Sequence, residues 1–311
     1  MQTPAKYYIL IPVFNRREIT LACLRQLQPL VDTGQWQVCV IDDGSTDGTA
    51  DAITLTFPET TVLDGDGNLY WTGAMEMGMR HAIQQGAQCC IWMNDDLITT
   101  IDTVVAVVEV AEMRQAVVAA EGVVQHDKLP PYYFPGFHRG KCRLETRELD
   151  LASKEPIRVD CCRGNLVAIP RCVVDRIGYP DGENIPHYGG DTDYTLRATA
   201  AGFSCLTLVS SLFHEKEIVR DDNRSWLLDD RPPLEIWKSS VAKKGVFYPQ
   251  AFWTYQLRHW GWRGVLNFCF GYAKIVVILA LKLALPKPVL LKLYAKRSHT
   301  YLAYLGIEKS S

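Results

Sequence analysis

Four short segments put carboxylates or an imidazole where chemistry could use them. Asp42-Asp43-Gly44-Ser45 follows the apolar, β-rich run Trp36–Ile41, and Asn94-Asp95-Asp96 follows Cys89–Met93. Gly189-Gly190-Asp191-Thr192-Asp193 opens a run of helical composition, and His214 comes just after the strand-like Cys205–Ser210. A buried strand that ends in paired acids places them at the carboxyl edge of a sheet, where open α/β sheets bind ligands. Acids there repel bare phosphates. They suit sugar hydroxyls, base N–H groups and a bridging divalent cation. A hard cation at Asn94-Asp95-Asp96 would also take diphosphate oxygens and neutralise a leaving nucleoside diphosphate. Asp191, at a helix start after a glycine pair, is a candidate general base.

Each of these has a plainer alternative. Asp42-Asp43 reads equally as a solvated acidic turn, Asn94-Asp95-Asp96 as a turn plus N-cap, and Asp191 as a capping residue favoured by the helix dipole. A lone histidine is usually packed or solvated; only the strand-end position of His214 near several acids raises metal ligation. Two acidic strand ends in one parallel sheet favour the chemical reading. A fifth segment, Gly65 to Ala74, has glycines at both ends that allow close backbone approach, and Trp71 offers a flat face to a sugar or base. Its alternative is a hairpin-like loop with a buried tryptophan.

The elements that must position these residues alternate. Tyr7–Val13, Gln37–Ile41, Thr61–Leu63, Cys89–Met93, Val117–Val124, Asn165–Ile169 and Cys205–Ser210 read as strands. Arg17–Val31, Asp47–Leu55, Gly73–Gln85, Thr100–Arg114, Pro170–Ile177 and Asp191–Ala201 read as helices. Ser45 or Thr46 is the expected cap of the second helix. The alternation predicts an α/β fold: a Rossmann-like, mostly parallel sheet flanked by helices. Gln125 to Asp160 reads as loops and edge strands on the acceptor side.

With 311 residues, the chain is long enough for one large domain and an appendage. The net charge of -2 hides an asymmetry: from Pro232 onward there are twelve Lys/Arg and two acids. That basic end predicts contact with an anionic surface. Gly264–Leu285 is almost long enough to span a bilayer. Arg263, Asn267, Lys274 and Lys282 would share an arc of about 100° on a helix there, which fits an in-plane interfacial helix better than a spanning one. Packing as an oligomer interface is the alternative. The ten cysteines fall mostly in apolar runs or adjacent pairs, with no zinc spacing, and read as reduced thiols. Met1 to Lys6 has no signal-peptide pattern, so the expectation is cytoplasmic, peripheral at the inner face of the cell membrane.

Taken together, the segments resemble the inverting family 2 glycosyltransferases with the GT-A fold. Ile11-Pro12-Val13-Phe14-Asn15-Arg16 looks like their first nucleotide-binding strand and loop, and Val40 to Thr49 like their second motif. Asn94-Asp95-Asp96 falls at their DxD-type motif, and Gly190 to Arg197 at their general-base helix, with Gly190 in place of the usual Glu. The resemblance covers roughly residues 6 to 215, with a looser likeness to bacterial rhamnosyltransferases and galactofuranosyltransferases. It implies that Pro12, Phe14, Asn15, Arg16, Asp42, Asp43, Asn68, Trp71, Gly73, Asn94 and Asp95 bind the donor. Asp96 and His214 would hold Mn²⁺ or Mg²⁺, and Asp191 would be the base. Arg163, Gly164, Asn165, Gly190 and Asp193 would line the acceptor side.

The expected division is a catalytic domain over 1–215 and a C-terminal helical, basic extension over 216–311. The expected reaction moves a sugar from a dTDP- or UDP-linked donor to a hydroxyl of a glycan or lipid-linked acceptor, in bacterial cell-surface glycan synthesis. An anionic membrane would be a partner and nucleic acid would not; an oligomer stays open. Two other classes compete. A sugar nucleotidyltransferase would want a Gly-rich phosphate loop, where this chain has Asn15-Arg16-Arg17. A non-catalytic carbohydrate or membrane adaptor would not need Asp191.

Overall fold

A computed structural model of the chain describes residues 5–126, 129–133, 137–141, 143–146, 155–210, 213–214 and 229–290. Its elements in order are β1 (Tyr7–Val13), α1 (Arg17–Val31), β2 (Trp36–Asp42), α2 (Thr49–Thr56), β3 (Thr61–Asp64), α3 (Tyr70–Gln84), β4 (Cys89–Met93), β5 (Leu97–Ile98), α4 (Ile101–Arg114) and β6 (Val117–His126). Then come β7 (Leu129–Tyr133), β8 (Phe137–Arg139), β9 (Leu144–Thr146), β10 (Ile157–Val159), β11 (Leu166–Pro170), α5 (Arg171–Ile177), α6 (Gly190–Ala200), β12 (Cys205–Ser210) and β13 (Phe213–His214). The last three are α7 (Pro233–Val241), α8 (Pro249–Trp260) and α9 (Trp262–Ala284). Two compact units result: Met1–Val124 with Tyr133–Glu215, and Gln125–Tyr132 with Lys216–Ser311.

The first unit is built on a sheet whose main path runs β10-β12-β6-β11-β4-β1-β2-β3. β3, β2, β1 and β4 are parallel, so the acids that end β2 and follow β4 share one edge. β11 runs antiparallel between β4 and β6, and pairs Leu166 with Met93. A strand running the opposite way brings its beginning to that same edge, which is how residues 163–165 arrive beside Asn94. β12 is parallel to β6 and delivers its carboxyl end there too.

Strand alternation sorts the side chains onto two faces. Ile9, Ile11, Val40 and Ile91 meet Leu24 and Leu27 of α1 and Val107 of α4 on one side. Leu10, Ile41 and Trp92 meet Met75 and Met79 of α3 and Tyr194 of α6 on the other. Every residue of β4 is buried, as a strand covered on both faces must be. Cys23, Cys39, Cys89, Cys90, Cys172, Cys205 and Cys269 are free thiols. Burial pushes the Cys39 and Cys90 thiols up to about 12, so they behave as small hydrophobes.

Two helix starts differ from the sequence reading. α2 begins at Thr49, after Gly48 at φ +78°, and not at Asp47. Asp47 instead accepts the Thr49 N–H at 3.1 Å and closes the preceding turn. α3 begins at Tyr70, three residues early, because its capping carboxylate comes from Asp43 in a distant loop.

In the second unit, Ile236, Phe247, Ile275 and Ile278 form a small core, with Phe252 and Tyr272 packed on it. α9 is long and apolar enough to cross a membrane by length and composition. The expected basic stripe is partly drawn inward: Asn267 donates to Gln256 Oε1 at 2.9 Å, and Lys282 donates to the Asp229 carbonyl. Arg263 and Lys274 stay exposed beside a face carrying Trp262, Leu266, Phe270 and Val277, all more than half exposed.

Gly78 sets the distance between α3 and the sheet, since a Cβ there would lie 2.8 Å from the Ile41 Cδ1. Gly78→Ala should therefore cost about 1–3 kcal/mol through overpacking, despite a gain of about 1 kcal/mol in helix propensity. Urea unfolding reads this, and Ile41→Val in the same chain should recover part of the loss.

Candidate active site

The loops that leave β1 and β2 are tied to one another. The Asn15 N–H donates to Ser45 Oγ at 2.8 Å and the Thr46 N–H to Asn15 Oδ1 at 2.7 Å, while the Arg17 N–H donates to Asp47 Oδ2 at 3.1 Å. Asn15 takes a left-handed φ of 53° to do this. Asp42 and Asp43 are both buried but have different partners. Asp42 accepts the Ser45 N–H through Oδ1 at 2.8 Å. Asp43 accepts the Leu69 N–H through one oxygen at 3.1 Å and the Tyr70 N–H through the other at 2.8 Å. Both Asp43 oxygens thus cap α3, each with a second lone pair left. Pro12 lies within β1 opposite Ile41, Phe14 is 45% exposed, and Asn68 is exposed in the loop before α3. Gly73 faces Gly182, where a Cβ would come within 2.7 Å of the Gly73 Cα. That close approach requires the glycine at 182, while a Cβ at Gly73 would meet only Leu69 at 3.4 Å.

The acids after β4 also divide. The Asp95 side chain is buried, takes a hydrogen bond from Thr20 Oγ1 at 3.0 Å and lies 3.3 Å from the Arg16 guanidinium. Burial raises its pKa to about 6, while Arg16 and Thr20 pull the other way. Asp95, expected among the donor ligands, is thus turned into the α1 side. Asp96 is the outward acid, with a third of its side chain exposed and Arg16 at 3.0 Å. His214 pairs with Leu97 across β13 and β5, which sets its backbone beside the residue that follows Asp96. Among the described residues no three His, Cys, Asp or Glu side chains form a metal cluster. A cation at Asp96 would take most of its ligands from bound oxygens and water, a habit of Mg²⁺ at substrate phosphates.

The third group lies on the α6 side. Asp191 Oδ2 accepts the Gly164 N–H at 2.9 Å and Oδ1 accepts the Thr192 N–H at 2.7 Å. Burial raises the Asp191 pKa; the two amides and Arg163 oppose that shift. Trp71 donates through Nε1 to Asn94 Oδ1 at 3.1 Å, and Asn94 Nδ2 donates to Asn165 Oδ1 at 3.2 Å. A Cβ at Gly164 would collide with the Trp71 ring, and one at Gly190 would collide with Thr72. Trp71 meets Trp92 edge-on at 5.2 Å and is a packed strut, not the open face the sequence promised. Asn94 and Asn165 serve the same strut. Arg163 lies over the Phe137 ring at 5.1 Å.

Asp193, expected on the acceptor side, is buried and pairs with Arg197 at 3.0 Å. Residues two apart on a helix do not face the same way, so only Asp191 of this pair reaches the edge. Sequence reading missed Thr20, Thr72 and the aromatic residues Tyr70, His187 and Tyr188. No spacing rule marks them, because their partners come from distant segments. Replacing the buried Thr20 by Val removes the Asp95 hydrogen bond at nearly constant volume. Unfolding experiments at pH 8 should show a loss of about 1.5–3 kcal/mol, the range for a hydrogen bond to a charged group.

Residues 8–173 match the family described as glycosyl transferase family 2. A search of curated protein sequences gave no match. Among solved structures, the chain resembles GalNAc-T7 with UDP, GalNAc and Mn²⁺, with a TM-score of 0.54 and 14% identity over 70% of this chain. It spans only 45% of that protein's length. It also resembles the mannosyltransferase PcManGT from Pyrobaculum calidifontis in complex with GDP-Man and Mn²⁺, with a TM-score of 0.53 and 15% identity, covering 98% of this chain and 84% of that one. The sheet order, the acidic strand ends at one edge and the family match agree: the chain has the GT-A fold and belongs to glycosyl transferase family 2.

Proposed function

We propose that the protein is an inverting glycosyltransferase. It moves a sugar from a nucleoside-diphosphate donor to a hydroxyl of a glycan or lipid-linked acceptor, in bacterial cell-surface glycan synthesis. The observation that carries this reading is the separation of the acids at the sheet edge. Asp96 stands on the α1 side with Arg16, and Asp191 stands on the α6 side on two backbone amides. A donor lying between them would have its diphosphate toward Asp96 and its anomeric carbon toward Asp191.

In this reading Asp42 or Asp43 and the loop after β1 hold the nucleoside, whose base is uracil or thymine. A divalent cation on Asp96 and His214, when bound, supplies positive charge for the departing diphosphate. Both solved relatives carry Mn²⁺ in their descriptions, and carboxylate and diphosphate oxygens suit it. Asp191 takes the proton from the acceptor hydroxyl as that oxygen bonds to the anomeric carbon and the bond to the diphosphate breaks. One displacement inverts the centre, and one base suffices. The alternatives of nucleotidyl transfer and non-catalytic binding leave the position of Asp191 without a use.

Asp191→Asn should lower sugar transfer by about 10²–10⁴-fold, the usual contribution of a positioned base. Stabilisation of the fold by nucleotide sugar with Mn²⁺ should persist, as read by thermal shift. Equal turnover by the variant would sink the assignment. In the wild type, Asp191 must be ionised to act, and its pKa is raised. The rate should therefore fall with decreasing pH at a point above the ordinary aspartate value of about 3.9.

We further infer that α9 seats the protein on an anionic membrane surface, with Trp262, Leu266, Phe270 and Val277 inward and Arg263 and Lys274 beside them. Flotation with anionic liposomes should capture the full chain and lose a chain ending before Trp260. Equal flotation of the truncated chain would leave the helix without this role.

A further inference from the structure

Three aromatic rings stand together, two of them in the segment that leads into Asp191, and have no part in the reading above. Tyr70 and His187 have ring centroids 6.2 Å apart, and His187 and Tyr188 5.6 Å apart at 85°. Tyr188 is 45% exposed and directly precedes Gly189-Gly190-Asp191. Tyr70 has φ +54°, a left-handed conformation that bulky side chains avoid and that is found most at ligand sites.

The frame around these rings is fixed. The Thr72 N–H donates to the Pro186 carbonyl at 2.9 Å, and Thr72 Oγ1 donates to the His187 carbonyl at 3.4 Å. Gly190 lies so close to Thr72 that no side chain fits. The first turn of α3 therefore holds the rings at one end through Tyr70, and the base at the other through Trp71 and Gly164.

The surroundings narrow the ligand. The segment from Asp181 to Gly189 holds Asp181 and Glu183 and no Lys or Arg, and Asp191 adds a third acid. Arg163 acts on Asp191 from outside that segment, but acids prevail within it, which disfavours phosphate and carboxylate. The exposed Tyr188 ring, beside the half-buried Tyr70 and His187, suits a neutral sugar ring, whose C–H face packs on the rings while its hydroxyls hydrogen-bond. We infer that Tyr70, His187 and Tyr188 form the acceptor subsite, and that it takes a neutral sugar ring, so that the group presented to Asp191 is a glycan hydroxyl. This deepens and rests on the transferase reading.

Saturation-transfer NMR with methyl glycosides tests it on the full chain. The probes are methyl glucoside, galactoside, mannoside, rhamnoside and galactofuranoside. At least one should receive saturation at its ring C–H protons from the wild type, lose it with Tyr188→Ala and keep it with Tyr188→Phe. Signal from no glycoside, or signal that survives Tyr188→Ala, overturns the inference. So does Tyr188-dependent saturation of uridine or thymidine, which would make the rings a nucleobase site. Thermal shift with nucleotide sugars and Mn²⁺ on the same samples tests the transferase reading separately. Glycoside binding through Tyr188 without any nucleotide-sugar shift would uphold a sugar subsite and reject the transferase.

Discussion

The candidate site depends on β11 lying antiparallel against β4. Four parallel strands gather acids at their carboxyl ends, but a row of acids in itself makes no base near a reacting carbon. The reversed strand brings residues 163–165 back to the edge. There the Gly164 N–H holds Asp191, and Asn165 meets Asn94. Trp71 closes the arrangement by packing over Gly164 and bonding Asn94. The strand end before Asp96 and the helix that begins beside Asp191 are thus joined through one glycine and one tryptophan.

That arrangement gives the two aspartates beside each other at β4 opposite fates. Asp95 is buried against Thr20 and Arg16, with its pKa raised to about 6 by loss of water, while Asp96 keeps contact with solvent. Arg16 lies within ion-pair distance of both, which offsets like charge at adjacent positions. At β2 the two acids divide by partner instead: Asp43 closes α3 and Asp42 closes the turn through Ser45. At β4 the two acids differ in exposure, whereas at β2 both are buried and both hold the frame.

How much of this was legible in the sequence follows from the range of the interactions. Strands such as Cys89–Met93 were readable because burial on both faces demands an unbroken apolar run. The edge position of Asp42, Asp96 and Asp191 followed from strand ends and a helix start. Local chemistry also placed Thr100 at the start of α4, where its side chain accepts the Thr103 N–H. What could not be read depends on segments far apart in the chain. The start of α3 at Tyr70 needs Asp43, the inward turn of Asp95 needs Thr20, and the need for glycine at 190 comes from Thr72. The role of Trp71 is the clearest case: an aromatic framed by glycines looks like a ligand platform until its neighbours Gly164 and Trp92 are known. The exposed ring of Tyr188 stood three residues from the base and carried no spacing signal at all.

The central claim is a single displacement at the anomeric carbon, with Asp191 as the only base. The configuration of the product tests it most directly. The enzyme would be supplied with a nucleotide sugar of known anomeric form, and the new glycosidic linkage assigned from its one-bond C–H coupling at the anomeric position. The account predicts a configuration opposite to that of the donor. Retention would require a second displacement or a front-side path, neither of which one base at this edge provides, and would contradict it.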